Sequence, residues 1–223
     1  MCGIPHHLID IRDPKENYSA GDFVEDATRL IKEITARGKL PILVGGTHFY
    51  FDALVHGLPA KIDPDPRLRE ELEKLSTILL FVRISRLDPR RAAELDPKNR
   101  RRLIRALEII EVHGKVPERK KSAYEIEWII LDPPPEELKK RIETRLRNAL
   151  AHGLVDEVRR VREYVGLPGQ DDTRLDEFGL EYRVVGEYLR EERSEESLLP
   201  ALVAKLSQLA RHQRAWLRKL RAH

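Results

Sequence analysis

Gly45, Gly46 and Thr47 follow the apolar run LPILV at residues 40–44 and precede the aromatic residues Phe49, Tyr50 and Phe51. Paired glycines let a backbone turn sharply and approach a ligand closely, and Thr47 stands where it could cap a helix. Open α/β sheets gather their ligands at the carboxyl ends of parallel strands, which is where this turn would lie. A plain strand-to-helix turn with a cap accounts for the same residues. Arg102 and Arg105 are three apart, hence on one side of a helix. Planar, always-charged forks suit phosphate oxygens, although pairing with Glu108 and Glu111 on a solvated face explains them equally. Arg211, Arg214, Arg218 and Arg221 recur every three or four residues around Trp216. A cationic stripe beside an indole can hold a splayed RNA loop by charge and stacking.

The elements that must position these groups read as alternating strand and helix. The 40–44 run, closed by glycines, predicts a strand buried on both faces. Ser19 with Asp22 predicts a capping box, and Phe23, Ala27, Leu30, Ile31 and Ile34 repeat at helical spacing until Gly38 ends the helix. Residues 7–11 read as a short strand. Proline breaks the chain between 57 and 66, RLREELEKL reads as a charged helix, and TILLFVRI fits either strand or helix. Asp88-Pro89 and Asn99 start further helices. Residues 126–131 read as a second strand, stopped by Asp132 and three prolines, and helices follow to the end, interrupted by a loop around 166–172. Pro200 fits only the first turn of the last helix, which places that start at Ser197.

With 223 residues, 41% of them apolar and 35% charged, the chain is long enough for a real core and too apolar to be disordered. Its one cysteine, Cys2, excludes an internal disulfide and a cysteine-rich zinc site, and suits a reducing, cytoplasmic setting. His6 and His7 stand apart from other ligand types, which argues against zinc. No apolar run approaches the roughly 20 residues a membrane helix needs, and no signal-peptide pattern opens the sequence. Net charge is only +3, so what matters is its clustering at 100–105, 119–121 and 211–221.

Several stretches resemble the tRNA dimethylallyltransferase family, in family order. VGGTHFYF resembles its VGGT-x-x-Y motif, and PHHLIDIRDP with YSAGDF its opening segment, for which the resemblance implies a scaffold role. NRRRLIRALE resembles R-aliphatic-x-RALE at Arg102, Leu103, Arg105, Ala106, Leu107 and Glu108. LKKRIETRLRNALAHGLVDEV matches a helical signature at Arg141, Ile142, Arg145, Gly153, Glu157 and Val158, with Ala149 in place of the usual methionine. FGLEYRVVGEYL matches at Tyr182. LARHQRAWLRKL resembles R-Q-x-T-W-x-R at Gln213, Trp216 and Arg218, with His212 and Ala215 departing from it. The resemblance implies transfer of a dimethylallyl group from its diphosphate to N6 of adenine 37 of tRNA, with Mg²⁺. Thr47 and Arg145 would serve the reaction, Arg145 steadying the pyrophosphate. Arg69, Arg101, Arg102, Arg105, Tyr182, Arg183, Arg211, Gln213, Arg214, Trp216 and Arg218 would face the tRNA anticodon stem-loop. For Arg145 the residues alone also allow pairing with Glu143 or Glu157.

The implied fold is a P-loop NTPase-like parallel sheet, shortened at its N-terminus, with a helical insertion and a helical C-terminal part. Residues 1–60 would be a partial α/β core, 61–98 a tRNA-contacting insertion, and 99–223 the remaining core with the C-terminal helices. No G-x-x-x-x-G-K followed by serine or threonine occurs, and no aspartate matches the family's presumed base for the adenine amine. The expectation is therefore a chain of this lineage with little turnover, whose open sheet edge favours self-association. Two alternatives are a non-catalytic anticodon-loop binding protein and an adenylate isopentenyltransferase.

Overall fold

Ser19 opens the first helix as its spacing predicts. Its Oγ accepts from the Asp22 N–H at 3.3 Å, and the Asp22 carboxylate accepts from the Ser19 N–H at 2.8 Å, a reciprocal capping box. The computed structural model describes residues 3–58, 62, 65–118, 122–166 and 173–220, the side chain of Lys219 excepted. Cys2, the basic cluster at 119–121, Arg221, most of the 166–172 loop and part of the 57–66 boundary lie outside the described residues.

Among the described residues the chain forms eleven helices. They are α1 (Ala20–Ala36), α2 (His48–His56), α3 (Pro66–Lys74), α4 (Thr77–Leu87), α5 (Pro89–Glu94) and α6 (Arg100–His113). Further along the chain come α7 (Pro135–Ala151), α8 (Leu154–Val165), α9 (Thr173–Glu177), α10 (Leu180–Leu189) and α11 (Glu195–Leu220).

The P-loop NTPase-like parallel sheet expected from the sequence is not there: the described residues contain no strand. Residues 40–44 and 126–131 are not helical, but neither joins a ladder, and their apolar side chains stand in solvent, with Val44 92% and Leu131 84% exposed. A strand is completed by the neighbour that takes up its N–H and C=O groups. An apolar run supplies the propensity but not that neighbour. Residues 7–11 bend instead of extending, because Leu8 and Asp10 take left-handed φ values of 60° and 52°. The ambiguous stretch TILLFVRI is helix α4: Ser76 caps it through the Leu79 N–H at 3.3 Å, and Leu80 and Ile84, one turn apart, are fully buried. The last helix begins at Glu195, so Pro200 lies inside it, two residues beyond the four N–H groups that lack intrahelical partners.

The chain divides into two bodies. One comprises Ser19–Ile42 and Phe49–Glu125. Its core is built from α3 to α6 around Leu72, Leu80, Ile84, Leu103, Leu107 and Ile110, each such side chain contributing about 1.5–3 kcal/mol when fully buried. Phe23 of α1 stacks on Tyr50 of α2 at 4.7 Å. Arg100 closes the end of α3 by donating to the carbonyls of Leu75 and Glu73. Buried Asp88 caps α5 through the Arg91 N–H and accepts from the Val116 N–H, both at 3.0 Å. Burial alone would raise its pKa, but the two backbone donors and neighbouring Arg90 outweigh that and hold it below the ordinary carboxylate value.

The other body comprises Met1–Tyr18, Leu43–His48 and Ile126–His223. Its core joins α7, α8, α9, α10 and α11 around Leu146, Val158, Leu175, Val184, Val185 and Leu202. Arg174 of α9 reaches residues 14–17: it donates to the Pro14 carbonyl and Asn17 Oδ1, each at 2.9 Å, and to the Glu16 carbonyl. The Tyr164 hydroxyl donates to Asp13, and Lys15 sits over the Tyr164 ring. The opening segment, read from the sequence as scaffold, is thus fastened to α8 and α9.

Candidate functional site

The glycine–threonine turn docks on the terminal helix. Gln213 Nε2 of α11 donates to the Gly46 carbonyl at 3.1 Å. His48 packs against Trp216 at 5.4 Å, and Trp128 meets the same indole edge-on at 6.0 Å. Arg214 Nε lies 2.7 Å from Asp132 Oδ1, but the two atoms lack hydrogen-bond alignment with each other, so the contact is Coulombic. One charge of the stripe is thereby met by a carboxylate. Arg211 and Arg218 remain exposed on α11. Of the residues singled out from the sequence, Thr47, Gln213, Arg214 and Trp216 are therefore gathered in one place. His48, Trp128 and Asp132 were missed there. The only signal for Trp128 was its rarity, as one of two tryptophans in the chain.

Such an assembly suits a particular chemistry. Two indoles and an imidazole offer faces on which unpaired bases can stack. Exposed Arg211 and Arg218 suit phosphates. The turn beside them exposes Thr47 and leaves the backbone around Gly45 open to a ligand.

Arg145 stands on α7, and its Nη2 meets Glu181 Oε1 of α10 at 3.3 Å, a carboxylate other than the two, Glu143 and Glu157, that the sequence offered. Those two carboxylates are engaged by Arg147 at 2.8 Å and by the Tyr182 hydroxyl at 2.5 Å. The Tyr182 pKa is pushed up to about 12, first by burial and then by the hydrogen bond to Glu157. Its ring meets Phe178 at 5.7 Å and, partly buried, packs against the core of this body. Arg183, exposed on α10, contacts Asp176.

In the other body, Arg69 and Arg105 converge on buried Glu108, each at 3.0 Å. Glu108 is a partner the sequence offered for Arg105, but it is buried and not part of the solvated face expected there, and Glu111 meets Arg83 instead. Arg101 and Arg102 are exposed at the start of α6. Among the described residues no group of three or more His, Cys, Asp or Glu could hold a metal ion. The described residues therefore supply no all-protein cage for magnesium, an ion commonly held by one or two side-chain oxygens together with substrate phosphates. No helix among the described residues is long and apolar enough to cross a membrane.

Comparison with known proteins gives a consistent picture. The sequence pattern of the IPP transferase family matches residues 1–220. The chain is 39% identical over 230 residues to a tRNA dimethylallyltransferase of Thermomicrobium roseum, covering 98% of this chain and 68% of that protein. It is 37% identical over 231 residues to the tRNA dimethylallyltransferase of Moorella thermoacetica, covering 97% and 69%. The crystal structure of a tRNA isopentenylpyrophosphate transferase from Bacillus halodurans is similar at a TM-score of 0.66 and 35% identity, over 98% of this chain and 70% of that one.

Proposed function

The chain belongs to the IPP transferase family of prenyl-transferring enzymes, and from that premise we propose that it takes part in dimethylallyl transfer to N6 of adenine 37 in the tRNA anticodon loop. The donor is dimethylallyl diphosphate. In the reaction N6 attacks the allylic carbon, the N–C bond forms as the C–O bond breaks, and pyrophosphate leaves with the electron pair while N6 gives up a proton. Exposed Arg211 and Arg218, with Trp216, take the loop by charge and stacking. Thr47 orients the reacting groups. Arg145 exchanges Glu181 for the departing pyrophosphate, on which negative charge builds as the bond breaks.

The observation that most supports this reading is the Gly46–Gln213 hydrogen bond, which joins the glycine–threonine turn to the arginine-bearing helix α11. We place the protein in the cytoplasm, where its tRNA substrate resides. Mg²⁺ stays in this reading as the ion accompanying the diphosphate.

The 223-residue polypeptide binds RNA and turns over little, because its sequence supplies neither the phosphate-cradling loop nor the base aspartate. Incubation with an anticodon stem-loop and labelled dimethylallyl diphosphate tests this directly. RNA retention without prenylated product is expected. Prenylation at a rate typical of enzymes, 1 s⁻¹ or faster to an order of magnitude (about 1–10³ s⁻¹), would overturn the low-turnover reading, and loss of RNA binding would overturn the substrate.

A further inference from the structure

Gly46 presses so closely on α11 that a Cβ there would lie 2.4 Å from Gln213 Nε2. No left-handed φ accompanies this glycine, so a side chain there would meet not a strained backbone but the Gln213 amide, which would have to swing aside. Gln213 fills that space and donates to the Gly46 carbonyl. Three residues on, and therefore on the same side of the helix, Trp216 receives His48. The residue before Thr47 and the residue after it are thus both fastened to one face of α11, 167 positions away in the chain for the hydrogen-bonded pair.

We propose that Gln213 is a positioning residue, holding the 46–48 turn on α11 so that Thr47 takes its place beside the helix that grips RNA. The importance of Thr47 rests on the prenyl-transfer reading, whereas the seating of the turn does not. A neutral amide is the group for the task, since it donates to a carbonyl without adding charge. Glutamate has the same shape but, when ionised, only accepts, and would set two acceptor oxygens against each other.

The test is spectroscopic and uses neither RNA nor donor. In a Trp128→Phe background Trp216 is the sole indole, and the His48 ring packed on it at 5.4 Å shields it from a small neutral quencher. His48→Ala should therefore raise the acrylamide quenching constant of Trp216. Gln213→Glu and Gln213→Ala should each raise it about as much, about twofold or more, with far-ultraviolet circular dichroism unchanged. Gly46→Ala should do the same by displacing the amide. In Gly46→Ala/Gln213→Ala the two effects should not add, because both act on one contact. Quenching unchanged in both Gln213 variants, additive effects in the double variant, or no change in His48→Ala would each overturn the proposal.

Discussion

Arg145 and Glu181 face each other across α7 and α10 at 3.3 Å, with the arginine side chain 67% exposed. A pair this exposed contributes about 0–1 kcal/mol to stability. Glu181→Gln should therefore leave the melting temperature nearly unchanged while releasing Arg145 for an anion. We expect isothermal titration with inorganic pyrophosphate to show tighter binding in Glu181→Gln and weaker binding in Arg145→Ala. Unchanged affinity in both variants would remove Arg145 from the donor site.

Glu108 presents the opposite case, a buried carboxylate held by two arginines. Removing either partner leaves it under-compensated, so Arg69→Ala and Arg105→Ala should each destabilise the protein by about 1–3 kcal/mol in urea unfolding. Exposed Arg102 should be silent in that assay. Any loss of RNA binding in Arg102→Ala then reports contact with the ligand, whereas the same loss in Arg105→Ala must be corrected for folding.

Arg174 spends its planar fork on three acceptors in residues 14–17. Arg174→Ala should cost about 1–3 kcal/mol, and lysine should not restore it, because a point charge cannot reproduce the fork. Faster hydrogen exchange confined to residues 13–17 in the variant would locate the effect.

Two groups give stability a pH dependence of known sign. Tyr182 ionises near 12, above its ordinary value of 10. Its contribution is therefore complete below pH 10 and is lost as pH rises toward 12. Ultraviolet absorbance should show a late phenolate step that Tyr182→Phe deletes. Asp13 is held below the ordinary carboxylate value, chiefly by the Tyr164 hydroxyl. Its contribution is present above that value and fades as pH falls through the lowered one. Tyr164→Phe should therefore flatten the acid limb of the unfolding curve.

How far the sequence could be read depended on whether a feature was local. The Ser19–Asp22 box and the helix start at Asn99 were legible because each is settled within a turn or two of helix. The runs at 40–44 and 126–131 were misread because strand character belongs to a pair, and nothing local reveals that no neighbour is present. In the candidate site Thr47, Gln213 and Trp216 could be picked out by motif, but that they touch one neighbourhood could not, since the contacts close a span of well over a hundred residues. Trp128 and Asp132 were hidden inside a supposed strand and its stop signal. Arg105 shows the remaining limit: an exposed-looking charge was answered by Glu108, whose burial depends on the packing of α6 within its body.

Binding of the tRNA loop depends on the exposed arginines of α11. The most direct measurement is the salt dependence of binding between the 223-residue protein and a labelled anticodon stem-loop, compared with an Arg211→Ala/Arg218→Ala variant. The logarithmic slope should fall by about 1 for each arginine removed, with weaker binding at every salt concentration. An unchanged slope, or no binding by the parent protein at low salt, would contradict it.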